Sequence, residues 1–260
     1  MTGTAAKAAL AEFVKDLERV EQLLDLMHDF RGFAATPDNP QESEFSVYAS
    51  KLWAKAQGVR TDLPLLSGSL LLYLCGRFEY FVKELVESVV DELVDGVTRF
   101  DELPGSLRKE YLIRVLGINQ SPGRFNHTVA TAAALAAELA TNLAGNTGSS
   151  GLQVDSSVIT ITESNMNSVT LAEIFKRVNL INLWDILGKQ LPLRNYFGEA
   201  TEAGCRKSAI ARLDDIMSNR NKVAHPTKDT EFPDVENVQE VVQFFSVFSQ
   251  VLVDFALVPR

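Results

Sequence analysis

The stretch "RLDDIMSNRNKVAHP", residues 212–226, has the pattern of the end of an amphipathic helix. Apolar residues recur at steps of three and four along one face of this helix; they are Ala209, Ile210, Leu213, Ile216 and Met217. The same step, continued, reaches Arg220. Because the residue before a proline is disfavoured in the α conformation, we expect the helix to end at or just before His225.

Arg220 is therefore predicted to lie on the apolar face of this helix and not on its solvent face. An arginine is almost never buried without a partner, because removing its charge from water costs a large free energy. Two alternatives follow. Either a carboxylate meets the guanidinium there, or the apolar face opens into a groove at this point.

Asn221 and His225 are four residues apart and therefore share a helix face near Arg220. The helix dipole favours the protonated form of a histidine at a helix C-terminus. Such a group can bind a phosphate through arginine, orient it through asparagine and move protons through histidine. The simpler interpretation is a structural Arg–Glu pair beside a surface histidine, since this spacing also arises by chance.

The composition restricts the function classes. With 260 residues, 46% of them hydrophobic, the chain can bury one substantial core, alone or with an appended lobe. Its net charge of −9 argues against general nucleic-acid binding, which needs a basic surface. The segment 206–228 is the exception. It carries only two acids, Asp214 and Asp215, against the basic residues Arg206, Lys207, Arg212, Arg220, Lys222 and Lys228.

The sequence predicts a cytoplasmic protein without membrane contact. Two cysteines, Cys75 and Cys205, suit a reducing compartment and form neither a disulfide framework nor a metal site. The N-terminus lacks the basic and apolar regions of a secretory signal. Polar residues interrupt the apolar run 241–258, so we expect a buried helix there, with a membrane-associated tail as the alternative. No spacing of His, Cys and carboxylates resembles a metal site, and no cofactor is expected.

The helical period dominates the chain and predicts an all-α fold. A loop is predicted at 32–43 and a flexible linker at 145–151. The alternating "SSVITITES" predicts a lone strand or short β-hairpin near 152–163. The predicted helices cover 5–30, 45–57, a long stretch opened by Asp62 and Pro64, 106–116, the alanine-rich 128–145, a segment opened by a Thr170–Glu173 capping box, 203–224, and 234–257 with Pro233 in its first turn.

With these helices in place, "RNKVAH" resembles the R-x4-6-H signature of the HEPN superfamily, in the form with asparagine directly after arginine. The apolar "SGSLLLYLCGRFEYFVKELVESVV" fits the same superfamily, and "NSVTLAEIFKRVNL" resembles the segment between these helices in the RiboL-PSP-HEPN branch. The resemblance covers about residues 62–258. It implies a HEPN-type helical bundle at 61–260 with an alanine-rich insertion at about 97–150, preceded by a helical extension at 1–60.

The resemblance also implies a function. HEPN proteins are commonly dimeric, and many are metal-independent ribonucleases of toxin–antitoxin and phage-defence systems. Arg220 and His225 would then form the catalytic pair of an endoribonuclease leaving 2′,3′-cyclic phosphate ends, with Asn221 as companion. We expect an RNA substrate, a homodimer and an antitoxin or defence partner. Lys222, Arg212 and Lys228 are predicted to bind the substrate. Glu79 could support Arg220, but we expect it to pair with Arg77 or Lys83.

The sequence departs from the family pattern at two positions, and two other interpretations remain. Pro226 stands where many relatives have glycine. Thr227 stands where the branch whose toxins are silenced by nucleotidylation has tyrosine, so silencing by nucleotidylation is not expected. One alternative is a non-catalytic HEPN-like module that binds a protein or nucleotide partner. The other is a helical scaffold, in which a salt bridge buries Arg220. His28 and His127 are isolated in the sequence.

Overall fold

The computed structural model describes residues 3–35, 44–59, 62–145 and 151–257. Over these residues the chain forms eleven α-helices and no strand, so the predicted all-α class is confirmed. The helices are α1 (Thr4–Ala35), α2 (Glu44–Val59), α3 (Leu63–Asp95), α4 (Gly105–Gln120), α5 (Val129–Leu143), α6 (Ser156–Thr160), α7 (Ser168–Arg177), α8 (Leu183–Lys189), α9 (Leu191–Phe197), α10 (Glu202–Ala224) and α11 (Val235–Ala256).

The chain divides into two compact units. The first unit comprises Met1–Ala11, Glu79–Asp214 and Ser249–Arg260, and the second comprises Glu12–Phe78 and Asp215–Phe248. Their boundaries fall inside α1, α3, α10 and α11. The predicted division of the sequence at residue 60 does not coincide with one of these boundaries and stays a prediction.

Aromatic side chains form the core of the second unit. On α11 the residues Val241, Phe244, Phe245 and Phe248 recur at steps of three and four and are buried. The rings of Phe78 and Phe245 stack with centroids 4.4 Å apart, and those of Phe244 and Phe248 with centroids 4.9 Å apart. Large buried aromatic surfaces of this kind stabilise the packing of α11 against α3 in this unit.

In the first unit, α4 packs against α5, α6 and α7, and α8 packs against α7 and α9. The buried residues of α4 are Leu107, Tyr111, Val115 and Ile118, at steps of three and four. The hydroxyl of Tyr111 accepts a hydrogen bond of 3.3 Å from the Asp155 N–H. Burial raises the pKa of Tyr111 to about 12, so this hydroxyl stays neutral in the core.

A buried carboxylate joins α1 to α3 in the second unit. Asp16 is 1% exposed, and its Oδ1 accepts hydrogen bonds of 2.7 Å from the Tyr73 hydroxyl and 3.0 Å from Arg19. Its Oδ2 accepts a hydrogen bond from Nε of Arg77. Nη2 of the same arginine donates to Oε1 of Glu12. Burial raises the pKa of Asp16, but the hydrogen bonds from Tyr73 and Arg77 together outweigh it, so the pKa lies below its ordinary value of 3.8.

We expect Asp16→Asn to lower the free energy of unfolding at pH 7 by about 1.5–3 kcal/mol, since it weakens hydrogen bonds to a buried charge. A carboxylate with a lowered folded-state pKa stabilises above its unfolded pKa, and this contribution is lost as the pH falls through the folded-state pKa. The difference between wild type and variant should therefore shrink below the ordinary aspartate pKa of 3.8. Urea denaturation at several pH values measures it.

The matched control is Glu12→Gln, because this carboxylate contacts the same arginine but its side chain is 57% exposed. An exposed ion pair contributes about 0–1 kcal/mol. Equal losses in Asp16→Asn and Glu12→Gln would contradict the role assigned to the buried carboxylate.

The strand or hairpin predicted near 152–163 is wrong, because Ser156–Thr160 forms the short helix α6. The Asp155 side chain accepts a hydrogen bond from the Ser157 N–H and thereby starts the helix. Arg177 donates hydrogen bonds of 2.7 and 2.8 Å to the carbonyls of Ile159 and Ile161, at the end of α6. These tertiary contacts override the β preference of the alternating valine, isoleucine and threonine.

Two predicted helix starts are also displaced. Asn167 precedes α7, and its side chain accepts hydrogen bonds from the N–H groups of Val169 and Thr170. The predicted capping box at Thr170 is therefore wrong. α11 begins at Val235, with the Asp234 carboxylate accepting from the Asn237 N–H, so Pro233 lies before its first turn. Residues 32–35 of the predicted loop at 32–43 are helical and belong to α1, so that part of the prediction is wrong. The rest of that loop and most of the predicted linker at 145–151 lie outside the described residues.

Among the described residues one helix, α3, is long and apolar enough to cross a membrane by length and composition, since its 18-residue window has a mean hydropathy of 1.2. From the sequence we considered the apolar run 241–258 for this role and did not consider α3. Of that window, 44% is buried inside the protein. Core helices pass the same test, and the residues of α3 that are at most 1% exposed include Leu74, Phe78, Phe81, Val82, Leu85 and Val86. The cytoplasmic location stays a prediction.

Candidate active site at the end of α10

The stretch "NRNKVA", residues 219–224, forms the last turns of α10. The helix ends at Ala224, as predicted, and the N–H of His225 donates a hydrogen bond of 3.1 Å to the carbonyl of Asn221. Pro226 follows and has no N–H to continue the helix. His225 therefore closes the helix through its backbone while its side chain lies at the surface.

The predicted apolar face of α10 is confirmed, except that Ile210 is only half-buried. The other members are at most 1% exposed; they are Ala209, Leu213, Ile216 and Met217. Arg220 lies on the same face, half-buried, between the buried Met217 and Val223. The sequence pattern thus placed the arginine correctly on the apolar side of the helix.

The guanidinium of Arg220 has few partners. Its Nη1 donates a hydrogen bond of 3.2 Å to Oδ1 of Asn221. Its Nε is buried and donates to no group of a described residue. No carboxylate of a described residue lies within 4.0 Å of it, so the salt bridge expected of a structural scaffold is not found there. A buried cationic donor without an acceptor is costly, and an anion can satisfy it.

Asn221 and His225 complete the group at the solvent side. Both are exposed, and the Asn221 amide oxygen is occupied by Arg220. The His225 side chain makes no hydrogen bond to a described residue, so its ring nitrogens are available to a ligand. The last turn of α10 therefore presents a permanent cation, an amide and an imidazole within six residues.

Packing in the second unit fixes the position of this helix end. At Gly68 of α3 a Cβ atom would lie 2.7 Å from the Phe232 ring and 3.2 Å from the Val223 side chain. The neighbouring Ser67 hydroxyl donates hydrogen bonds to the carbonyls of Pro64 and Pro233. A glycine at this position thus permits close approach of α10 and the segment before α11. The sequence did not predict a role for Ser67 or Gly68, because their importance depends on contacts with residues far away in the sequence.

The predicted substrate-binding residues are only partly brought together. Lys222 is exposed in the last turn of α10 and donates a hydrogen bond of 3.2 Å to Oδ1 of Asn219. Lys228 is exposed in the turn that follows the helix, which a Thr227–Thr230 hydrogen bond closes. Arg212 is half-buried and belongs to the other compact unit. The substrate-binding roles of all three stay predictions.

The two acids of the basic segment already have partners. Both carboxylate oxygens of Asp214 accept hydrogen bonds of 2.8 Å from Ser168, one from its N–H and one from its hydroxyl. Asp215 accepts a hydrogen bond of 3.3 Å from the Asn219 amide. Asp214 is thus engaged at the start of α7, a use that counting charges in the sequence did not reveal.

The predicted pairing of Glu79 with Arg77 or Lys83 is wrong. Its Oε1 accepts a hydrogen bond of 3.2 Å from the N–H of Met166. Arg77 instead contacts Asp16 and Glu12. A carboxylate that accepts from a backbone N–H near the start of a helix stabilises the fold, and a supporting role of Glu79 at Arg220 stays a prediction.

Similarity to known proteins is found at the level of the family. No curated protein and no solved structure matches the chain significantly. The model of the RiboL-PSP-HEPN family matches residues 42–257, a range that includes α2 through α11. The match therefore starts earlier than the resemblance from residue 62 suggested, and it contains Arg220, Asn221 and His225. The chain belongs to the RiboL-PSP-HEPN family.

Proposed function

We propose that this protein is a metal-independent endoribonuclease of the HEPN type that acts as a toxin or phage-defence effector. One observation carries the proposal. Arg220 is half-buried on an apolar helix face, its buried Nε has no partner among the described residues, and Asn221 and His225 stand in the same helix turn. A group of this kind is suited to an anionic ligand that also exchanges protons.

Each side chain has a defined part in phosphate chemistry. The guanidinium offers charged N–H donors to non-bridging phosphate oxygens, and stabilises the charge that develops on them. The Asn221 amide orients the phosphate, since it already contacts Arg220. The exposed His225 imidazole has two ring nitrogens, of which one can donate and the other accept a proton. It can therefore take or give the proton that the reaction moves.

In the proposed reaction, the ribose 2′ oxygen attacks the adjacent phosphorus atom. One imidazole removes the 2′-hydroxyl proton as the new P–O bond forms. The bond from phosphorus to the 5′ oxygen breaks, and a second imidazole protonates that oxygen. The products are a 2′,3′-cyclic phosphate and a 5′-hydroxyl, and no atom has come from water or from a metal ion.

This scheme uses two imidazoles, while each chain supplies one His225 at the site, so we predict a two-fold homodimer with a composite site. Sedimentation at micromolar concentration should give a dimer. Co-expression with excess His225→Ala chains should reduce wild-type cleavage more than dilution does, because mixed dimers lack the acid or the base. Excess His127→Ala chains are the control. A strict monomer with full activity would contradict the dimer.

The alternative is a non-catalytic HEPN-like module that binds a protein or nucleotide partner. It is favoured by the His225 side chain, which makes no hydrogen bond to a described residue that would fix its tautomer. In such a module Arg220 would still contact an anion, but no proton would move. Partner binding would then survive His225→Ala, whereas RNA cleavage would never be observed.

Expression in a bacterial host tests the proposed function. The wild type should slow growth and fragment cellular RNA, and His225→Ala should do neither. His127→Ala is the matched control, since that histidine lies on a separate segment of the first unit and its ring contacts the Thr131 hydroxyl. Intact RNA with wild type expressed at the level of the variants would refute the proposal.

A further inference from the structure

A charged cavity lies in the first unit, at the first turns of α4. Its volume is about 660 Å³, and residues of α4, the turn before it and the end of α5 line it. This volume is within the range of small-molecule sites, about 300–1,000 Å³. None of the residues interpreted above as catalytic or substrate-binding belongs to this cavity.

The lining of this cavity is basic. It contains Arg99, Arg108 and Lys109 against a single acid, Asp101. Asp101 is already bound to Arg99, with an Nε–Oδ1 distance of 2.9 Å. Two positive charges therefore remain in a chain whose net charge is −9. A basic cavity in an acidic protein concentrates anions against the overall field.

A second cavity of the same unit provides the contrast. Its volume is about 580 Å³, and its charged lining consists of Lys189 and Arg206 with Asp185 and Glu202. Those charges cancel, and Arg206 is ion-paired to Asp185. Basic side chains in a cavity are thus not a general property of this unit, and of these two cavities only the one at the start of α4 has an excess.

One residue of the lining has an unsatisfied donor. Arg108 lines the cavity, and its Nε is buried and has no hydrogen-bond partner among the described residues. Nη2 of Arg108 would lie 3.9 Å from a Cβ atom on Gly105, which is an ordinary contact distance, so the guanidinium lies over the helix start. The residue before α4 is Pro104, which offers no capping side chain. Arg108 and Lys109 both line the cavity, and a guanidinium and an ammonium group are donors that a phosphate group satisfies.

One wall of the cavity is apolar. Leu112 and Leu143 line it, and Leu143 is 59% exposed. Inorganic phosphate alone would leave this wall and most of the volume in contact with water. A ligand with both a phosphate group and an apolar part fills the basic and the apolar sides together.

We propose that this cavity binds an organic phosphate, with its phosphate groups at Arg108 and Lys109 and its apolar part against Leu112 and Leu143. The site belongs to the first unit, and the proposal does not depend on the ribonuclease activity. It assigns a ligand-binding role to the start of α4, a segment that the sequence predicted only as a helix.

Isothermal titration of the full chain tests the site with three probes: ATP, which has both parts, tripolyphosphate and adenosine. ATP should bind more tightly than either fragment. Arg108→Gln and Lys109→Gln should each weaken ATP binding by about tenfold or more, since each removes a charged contact. The control variants Lys189→Gln and Arg206→Gln, in the neutral cavity, should bind ATP as wild type does.

Three results would overturn the assignment. The first is no binding of either ATP or tripolyphosphate at millimolar concentration. The second is ATP binding that Lys109→Gln leaves unchanged; this residue is exposed, so its replacement tests the site even where Arg108→Gln disturbs folding. The third is tripolyphosphate binding as tightly as ATP, which would make the ligand a polyphosphate without an apolar part.

Discussion

Replacing Arg220 or His225 by alanine should lower the rate of RNA cleavage by about 10²–10⁴-fold while the protein stays folded. Arg220 makes one hydrogen bond to a described residue, to Asn221, and its Nε already lacks a partner there. Removing the side chain therefore breaks one surface contact and frees no buried carboxylate of a described residue. His225 holds the helix end through its backbone, which alanine retains.

Thermal melts separate this result from a structural role. If Arg220 were one half of a buried ion pair, its removal would cost roughly 3–5 kcal/mol and lower the melting temperature by roughly 6–20 °C. We expect a change of only about a few degrees for Arg220→Ala, since no described carboxylate loses a partner. Initial rates on a defined RNA and calorimetric melts of the same preparations give both quantities.

Arg124→Ala is the matched control for the loss of an arginine. Its side chain is 63% exposed and pairs with Glu163 at the surface of the first unit. We expect both its cleavage rate and its melting temperature to equal those of wild type. A large drop in melting temperature for Arg220→Ala with wild-type-like activity per folded molecule would favour the scaffold.

The helices could be predicted because their signals are local. Steps of three and four along α1, α3, α10 and α11 are visible in the sequence, and the proline after His225 fixes where α10 ends. The position of Arg220 on the buried face follows from the same step, so the amino-acid sequence alone places the central residue of the site.

What could not be predicted are the partners that depend on chain segments far apart in the sequence. Glu79 binds the Met166 N–H, and Asp214 binds Ser168, although each has basic neighbours along its own helix. Gly68 matters only because Phe232 and Val223 approach it. Local charge patterns favour pairs within one helix, whereas the fold uses these carboxylates to satisfy backbone N–H groups elsewhere.

The segment at α6 shows the same limit for secondary structure. Alternating β-branched residues predicted a strand, but a strand needs a neighbour to pair with, and the described residues around it are helical. Arg177, with its side chain 10% exposed, holds two carbonyls at the end of this helix. The local pattern of this short segment is too weak to outweigh such contacts.

RNA should be cleaved and DNA should not, and cleavage should persist in excess chelator. The proposed nucleophile is the 2′-hydroxyl of the substrate, which only RNA has. The groups assigned to the reaction are a guanidinium, an amide and an imidazole, none of which needs a divalent ion to act on a phosphate. Metal-ion catalysis works by different means, polarising an oxygen or activating a bound water.

The decisive substrate is one oligonucleotide that carries either a single ribose or a single deoxyribose at the scissile position, with every other sugar deoxy. The ribose version should be cut at that position with chelator present, and mass spectrometry should find a 2′,3′-cyclic phosphate and a 5′-hydroxyl. The deoxy version should remain intact. His225→Ala should leave both versions intact, which shows that the cut comes from this site and not from a contaminating nuclease.

Two outcomes would show that the roles given to Arg220 and His225 are wrong. Cleavage of the deoxy version would mean that the nucleophile comes from water or from the protein, because no 2′-hydroxyl is present. Loss of all ribose cleavage on chelation, restored by a divalent ion, would mean that a metal supplies the charge assigned to Arg220. The expected result is that only the ribose version is cut, and only by the protein that retains His225. Cleavage then depends on both the 2′-hydroxyl of the substrate and the imidazole, as proposed for this helix end.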